Sequence, residues 1–308
     1  MKRKYFFLFS VLTSNNRLLV KKYVLKNIGF ILLLSYLFSA CNLINPDEKL
    51  PVYFKIDSVR VEIGSSYPQL HNITDVWVTV NGDRVGTFEL PAFFPVIASG
   101  NTNVVIMPGI KVNGIAATRD IYPFFDYYEF DTVFTPVNTY EITPVFKYKD
   151  HLFMWTEHFP GIIQGYKFEK TTRSDTILVV EPDSSIGAGN YTGNVYLTVE
   201  RPKFQCVTVD DFYFPTDGRK IYAELDYKNN MEFEVGLFTY KSNQVIIDPL
   251  VIVNPHPDGY NRIYMDLTSY VNANANAYKF KLYIGAEKPD TISSGFISID
   301  NVTVIYNQ

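Results

Sequence analysis

The sequence predicts an all-β fold made of two β-sandwich domains. Beyond residue 50, short runs rich in Val, Ile, Tyr, Phe and Thr alternate apolar with polar side chains, which is the pattern of half-buried strands. Turn residues separate these runs at short intervals, and no convincing amphipathic helix interrupts them. The chain has 308 residues, of which 47% are hydrophobic and 16% aromatic, so it can bury a large core.

The first predicted domain covers residues 51–149. We expect its strands at 52–63, 76–80, 84–90, 104–107, 127–134 and 140–148. Asn81-Gly82 lies between two of them and predicts a tight hairpin, because both residues of such a turn need φ > 0. The Val-Asn-Gly-Asp hairpin resembles those of transthyretin-like or PEGA-like accessory modules of cell-envelope proteins. This resemblance implies a small sandwich, which we interpret as a spacer.

The second predicted domain covers residues 150–308, with the boundary placed at 147–150. We expect its strands at 194–200, 221–227, 232–238, 262–267, 278–285 and 295–306. Turn signals fall between them, at 216–218, 228–230 and 255–259. Short strands at this spacing indicate a sandwich or a jelly roll.

Two segments of the second domain carry a resemblance to a known fold. Residues 296–306 read Phe-Ile-Ser-Ile-Asp-Asn-Val-Thr-Val-Ile-Tyr and look like the last strand of galactose-binding-like jelly rolls. Residues 153–161, with an acidic residue before a Phe and a Gly, resemble the first strand of that family. Because many carbohydrate-binding modules have this fold, the resemblance implies a binding module for glycan.

The same resemblance implies a structural Ca²⁺ ion. The family's acidic residue of the first strand and the Asp of the last strand match Glu157 and Asp300. Ca²⁺ prefers six to eight oxygen ligands, so backbone carbonyls would have to complete the site. The alternative is that Asp300 caps a turn or faces solvent.

The N-terminal segment has the layout of a secretory signal peptide. A basic stretch at 21–26 precedes an apolar run at 27–40, which is too short to span a bilayer. The ending Leu37-Phe38-Ser39-Ala40-Cys41 resembles the lipobox of bacterial lipoproteins, which implies that Cys41 becomes the lipidated first residue. The alternative is a buried cysteine that follows a core helix. We assign residues 1–40 to the signal peptide, with a true start near residue 20 as a further hypothesis.

Residues 41–50 are predicted to be the lipidated cysteine and a polar linker. Asp47 and Glu48 resemble the acidic surface-export signal that follows the cysteine in Bacteroidetes-type lipoproteins. We therefore expect a lipid-anchored protein of the cell outer membrane and leave the leaflet open. If Cys41 carries lipid, Cys206 is left without a partner for a disulfide.

Composition and motifs exclude several functions. The formal net charge of −4 provides no basic field for nucleic acid. The chain contains no His-Glu-x-x-His motif, no Gly-x-Ser-x-Gly elbow and no phosphate-cradling glycine loop. We therefore predict that the protein is not an enzyme and has no certain cofactor.

Two further sets of surface residues are proposed from local patterns. Tyr260 follows the Pro-rich stretch 254–259 and is predicted to be an exposed loop residue that could contact a ligand. Four triplets of Asp, then Ser or Thr, then an apolar residue match the Bacteroidetes O-glycosylation pattern, unless they are ordinary strand-edge sequences. The candidate acceptors are Ser58, Thr132, Thr176 and Thr291.

Our first functional hypothesis is a non-catalytic, outer-membrane-anchored lipoprotein that binds glycan or a protein partner. The alternative is an accessory structural subunit of a cell-envelope complex without sugar binding, and a hydrolase is the less favoured third. A concave site with exposed aromatic side chains would favour glycan. A large exposed apolar patch would favour the complex.

Overall fold

The computed structural model describes residues 21–22, 24–31, 48–62, 70–161, 163–186 and 190–308. Cys41 and most of the proposed signal peptide lie outside these ranges. Residues 24–31 are helical. No helix within the described ranges is long and apolar enough to cross a membrane. Residues 52–308 form a compact unit that is separate from residues 1–51.

The prediction of an all-β fold is confirmed. The strands of the first sandwich are β1 (Val52–Ile56), β2 (Arg60–Glu62), β3 (Ile73–Val80), β4 (Asp83–Glu89), β5 (Ala92–Val96), β6 (Gly100–Lys111), β7 (Arg119–Ile121), β8 (Tyr128–Phe134), β9 (Thr139–Glu141) and β10 (Val145–Lys147). A 3₁₀ turn, Ala116–Thr118, lies between β6 and β7.

The first sandwich is held by three sheets around one core. Their strand orders are β5-β1-β9, β2-β10 and β4-β3-β6-β7, with β8 also paired to β6. The predicted hairpin is present, since Asn81 and Gly82 join β3 to β4 with φ of 52° and 84°. Alternate side chains of β1 point inward, and they pack with those of β3 and β6 in one buried cluster.

The strands of the jelly roll are β11 (Leu152–Glu157), β12 (Phe168–Lys170), β13 (Val179–Pro182), β14 (Tyr191–Leu197), β15 (Lys203–Thr208), β16 (Ile221–Asn229), β17 (Phe233–Lys241), β18 (Gln244–Val253), β19 (His256–Asp266), β20 (Lys279–Glu287) and β21 (Gly295–Asn307). A 3₁₀ turn spans Ser184–Ile186, and a short helix spans Thr268–Ala273. The turn predicted at 255–259 is wrong in extent, because His256 already begins β19.

Two sheets form the jelly roll. The first sheet has the order β13-β14-β21-β16-β19, with β11 also paired to β21, and the second has the order β12-β15-β20-β17-β18. Inward side chains of both sheets, such as Leu225 and Leu282, belong to one buried cluster. Cys206 lies in this cluster as a small apolar residue, and burial raises the pKa of its thiol.

The first sandwich packs against the outer face of the first jelly-roll sheet, in a contact that we call the junction. Tyr222, Tyr264 and Ile305 of the jelly roll belong to the buried cluster of the first sandwich. Backbone contacts add to this packing, since Asn113 donates its N–H to the Tyr264 carbonyl at 2.8 Å. Asn72 donates its side-chain amide to the Arg262 carbonyl at 2.9 Å. The outer face of the second jelly-roll sheet lies on the opposite side of the jelly roll from this junction.

Candidate functional site

A groove crosses the outer face of the second jelly-roll sheet. It encloses a volume of about 640 Å³, and we call it the sheet groove. Its polar lining consists of Arg173, Lys203, Gln205, Glu232, Glu234 and Glu287. Ile252, whose side chain is 63% exposed, forms an apolar wall.

Strand register explains why these side chains meet. Gln205 of β15 pairs with Gly285 of β20, and Gly285 pairs in turn with Glu234 of β17. Glu234 then pairs with Ile252 of β18, so one row of neighbours crosses four strands on one face. Because Gly285 has no side chain, the side chain of Glu234 can lie over this position. A Cβ atom at position 285 would lie 2.8 Å from Glu234 Oε1.

An aromatic side chain supports Glu234 from the neighbouring row. Tyr283 donates its hydroxyl to Glu234 Oε1 at 3.2 Å, and its ring packs on Phe238 with centroids 5.4 Å apart. Gly236 lies opposite Tyr283 in the register and leaves space for the ring. Burial, followed by the nearby charge of Glu234, raises the pKa of Tyr283, so the phenol stays a donor at neutral pH.

The polar groups of the groove offer both donors and acceptors. Thr171 donates its hydroxyl to Gln205 Oε1 at 2.8 Å, which orients the amide nitrogen as a donor for a ligand. Lys203 and Glu287 form an exposed ion pair at 3.5 Å on the rim. Such a surface pair stabilises the fold little, so both groups can exchange partners. The groove can therefore hold a neutral, polar ligand with many hydroxyl groups.

A second polar cluster lies buried at the junction. Arg262 donates to Asp226 Oδ1 at 2.6 Å and to Glu224 Oε2 at 2.8 Å. Tyr122 and Tyr148 of the first sandwich also donate their hydroxyls to Glu224. Burial alone would lower the pKa of Arg262, but the charges of Asp226 and Glu224 hold it well above its ordinary value. The cluster thus joins the two sandwiches through buried charges.

The predicted calcium residues lie next to this cluster. Asp300 pairs with Asp226 in the register of β16 and β21, and Glu157 of β11 pairs with Val302 on the same strand β21. Both carboxylates are buried. Burial, together with the charges of Asp226 and Glu157, raises the pKa of Asp300 to about 8. The Asn301 N–H and the charge of Arg262 act in the opposite direction.

The side chains fit a Ca²⁺ ion in part. Asp300 Oδ1 and Asn301 Oδ1 are buried oxygens without a hydrogen-bond partner, and an oxygen-preferring cation would satisfy both. Glu157, in contrast, already accepts the backbone N–H groups of Phe159 and Lys167. No group of three or more His, Cys, Asp or Glu side chains suited to a metal occurs in the described ranges. A bound ion would therefore depend on Asp300 and Asn301 and on backbone carbonyls.

Calcium should raise the melting temperature if this site binds it. A ligand at a hundred times its dissociation constant stabilises the folded state by about 2.7 kcal/mol. We expect the parent protein to melt at a higher temperature in millimolar CaCl₂ than in EDTA, and MgCl₂ to give no such rise. The melting temperature of Asp300→Asn should be the same in CaCl₂ and in EDTA. Equal melting temperatures of the parent protein in CaCl₂ and EDTA would show that the resemblance does not extend to the metal.

Tyr260 does not lie in a loop, which corrects its predicted placement. It lies within β19, and its hydroxyl donates to Asp183 Oδ2 at 2.9 Å. Burial raises the pKa of Tyr260. Since β19 belongs to the first jelly-roll sheet, Tyr260 is also separate from the sheet groove. Its proposed contact with a ligand stays a prediction.

The four candidate O-glycosylation sites differ in their exposure. Ser58 and Thr291 are exposed, and Thr132 is half-buried. Thr176 is only 8% exposed, which disfavours it as an acceptor, and its assignment stays a prediction. The alternation of the 174–180 segment places Thr176 on the same inward side as Leu178.

Sequence patterns did not identify the residues of the sheet groove. Gln205, Glu234 and Gly285 lie far apart in the chain, and each is an ordinary outward position of an alternating strand. The sequence feature that could have indicated the groove is the pair of glycines, Gly236 and Gly285, within strand-like runs. A glycine within a strand often indicates a close approach of another group.

Comparisons with known proteins give low-identity structural matches only. No protein-family model matches the sequence, and no curated protein matches it. The CBM22-1–GH10 modules of Clostridium thermocellum xylanase 10B, solved with xylohexaose, match with a TM-score of 0.36 and 14% identity, over 51% of this chain and 28% of that chain. This chain therefore spans less than a third of that structure.

Two smaller structures match over most of their own length. A xylan-binding domain of CBM family 22 has a TM-score of 0.35 and 10% identity, over 51% of this chain and 97% of that chain. A structure reported for carbohydrate-binding modules of the β-sandwich superfamily has a TM-score of 0.37 and 13% identity, over 83% of this chain and 98% of that chain. These TM-scores are too low to assign a ligand to this protein.

Proposed function

We propose that this protein is a non-catalytic, outer-membrane-anchored lipoprotein whose jelly roll binds a glycan in the sheet groove. The observation that carries the proposal is the row Gln205–Gly285–Glu234–Ile252, which forms a polar groove on the outer sheet face. Its volume of about 640 Å³ falls in the range typical of ligand sites.

The polar groups of the groove suit a sugar chain, although its aromatic lining residues, Phe204 and Phe233, are buried and do not provide the exposed rings expected of a glycan site. Sugar hydroxyls both donate and accept, and they meet a carboxylate at Glu234, an amide at Gln205 and a guanidinium at Arg173. The apolar faces of sugar rings can pack against Ile252. Because the groove lies on an outer sheet face with Ile252 exposed, it can admit part of a longer chain.

The anchor is proposed from the sequence. Cys41 follows a short apolar run after basic residues, and lipid on this cysteine would hold the binding module at a membrane. Tethering raises the local concentration of the module, so modest affinity for a surface polymer becomes effective retention. The first sandwich would hold the groove away from the anchor.

The proposal is tested by filling the groove. Residues 42–308 contain the whole compact unit and can be purified without lipid. We expect specific retention of one class of polysaccharide in a pull-down panel and at least a tenfold loss of affinity in Gly285→Val. The valine side chain would displace the side chain of Glu234, which lies over Gly285.

Gly259→Val is the matched control. Gly259 also lies in a jelly-roll strand, but a Cβ atom there would meet nothing within 4 Å. This variant should bind as the parent protein does. A panel without any binder, or equal binding by Gly285→Val, would contradict the proposed function.

A further inference from the structure

Exposed apolar side chains collect at the end of the first sandwich where the chain enters it. Val52 begins β1 and pairs with Val96, and Ile97 follows directly with 58% of its side chain exposed. Asn138 accepts the N–H of Tyr53 at 2.9 Å, which brings the adjacent Val137, 62% exposed, to the same end. Val133 is 67% exposed and pairs with Asn101 just beyond the Ile97 loop. We call this region the entry end.

Two segments of the entry end carry no charged side chain, although Glu48 and Lys49 precede β1 and Asp131 lies two residues from Val133 on β8. Residues 90–110 and residues 132–140 contain no Asp, Glu, Lys or Arg. These two segments supply the loops that follow β5 and β8. Protein surfaces normally mix charges with apolar groups, so two adjoining uncharged segments with exposed apolar side chains are unusual.

Local geometry holds some of these apolar groups outward. Val137 has φ of 72°, a conformation that is an outlier for a β-branched residue. Such backbone strain is typical of segments with a role beyond folding. Tyr53 of β1 and Phe93 of β5 stack with ring centroids 5.4 Å apart, and Phe93, which pairs with Lys55, is 63% exposed.

We infer that the entry end lies against the lipid bilayer that holds the Cys41 anchor. This inference rests on the lipid anchor of the proposed function. The eleven residues from Cys41 to Val52 can extend at most about 40 Å, so the end that the tether enters stays near the membrane. Aromatic side chains favour the membrane–water interface, and apolar side chains gain free energy on leaving water.

Contact with the bilayer would also fix the orientation of the module. A single acyl chain gives marginal membrane attachment, and apolar side chains at the interface strengthen it. A protein held at its entry end can rotate less than one on a free tether. The groove would then face a constant direction relative to the membrane.

The inference is tested with a fluorescent label on the full lipoprotein in phosphatidylethanolamine–phosphatidylglycerol vesicles. Ile97→Cys and Val137→Cys each receive an environment-sensitive dye, and Val199→Cys is the control because Val199 is 68% exposed on the jelly roll. Cys206 is buried with a raised thiol pKa and should not react. We expect brominated lipid, and not iodide, to quench the dye at positions 97 and 137. We expect iodide, and not brominated lipid, to quench the dye at position 199.

The outcomes separate this inference from the anchor itself. Failure of the unlabelled protein to float with vesicles would overturn the anchor and, with it, this inference. Flotation with dye at 97 and 137 as open to iodide as dye at 199 would overturn the bilayer contact alone. These dyes could instead be shielded without vesicles, to a degree that rises with protein concentration. That result would show that a second copy covers the entry end, and it would also overturn the bilayer contact.

Discussion

Replacing Arg262 by methionine should destabilise the protein by about 3–5 kcal/mol, because it leaves two buried carboxylates without their cation. Arg262 bonds Asp226 at 2.6 Å and Glu224 at 2.8 Å, and its side chain is 7% exposed. Both carboxylates are buried, with 0% and 3% of the Glu224 and Asp226 side chains exposed. At about 2–4 °C per kcal/mol for a unit of this size, the melting temperature should fall by roughly 10 °C.

Two further variants separate charge from packing at Arg262. Arg219→Met removes a half-exposed arginine that pairs with Asp217 at 2.9 Å, and it should cost under about 1 kcal/mol. Neutralising both acids in Arg262→Met/Glu224→Gln/Asp226→Asn should recover at least half of the lost melting temperature, since no unpaired charge remains. A loss in Arg262→Met no larger than in Arg219→Met would contradict the assigned role of the junction.

Replacing Glu234 by alanine should weaken glycan binding by about 10- to 150-fold, while the fold is kept. Hydrogen bonds to a charged group contribute about 1.5–3 kcal/mol, which converts to that range of dissociation constants. Glu234 is half-buried in the groove and is oriented by the Tyr283 hydroxyl at 3.2 Å. Isothermal titration with the glycan found in the panel measures the change directly.

A second Glu–Tyr pair provides the matched control for Glu234. Glu181 accepts the Tyr196 hydroxyl at 2.5 Å on the first jelly-roll sheet, outside the groove. Glu181→Ala removes the same chemical group and should bind glycan with unchanged affinity. Similar losses in both variants would mean that the effect is not local to the groove.

Local patterns were sufficient to predict the fold class and several elements. Alternation along β1 and the Asn81-Gly82 turn follow from short-range rules of side-chain direction and backbone φ, which do not depend on distant residues. The turn predicted at 255–259 was wrong in extent because the same short-range rules take no account of distant strands. Its Pro and Gly residues indicate a turn locally, but pairing with β16 places His256 and its neighbours in an extended strand.

Burial of the junction could not be predicted from β16 alone. Tyr222, Glu224 and Asp226 alternate with apolar residues, and this pattern is typical of a strand with one face in solvent. That face is instead covered by Tyr122 and its neighbours in the first sandwich. A contact between two sandwiches leaves no periodic signal, because the covering residues lie a hundred positions away.

The groove depends on register between strands that are distant in sequence. Gln205, Glu234 and Gly285 become neighbours only because β15, β20 and β17 pair with one specific offset. A shift by one residue would turn each side chain into the core. Calcium residues were easier to propose, since a resemblance to a known fold supplied the pairing of the first and last strands.

The most direct test of the central claim is a methyl NMR titration of the isoleucine-labelled compact unit with the glycan found in the panel. Ile252 lies in the sheet groove with 63% of its side chain exposed, whereas Ile177 and Ile97, 54% and 58% exposed, lie outside it. We predict that the Ile252 signal shifts on saturation while those of Ile177 and Ile97 do not. An unchanged Ile252 signal with the ligand fully bound would place the glycan elsewhere and contradict the account.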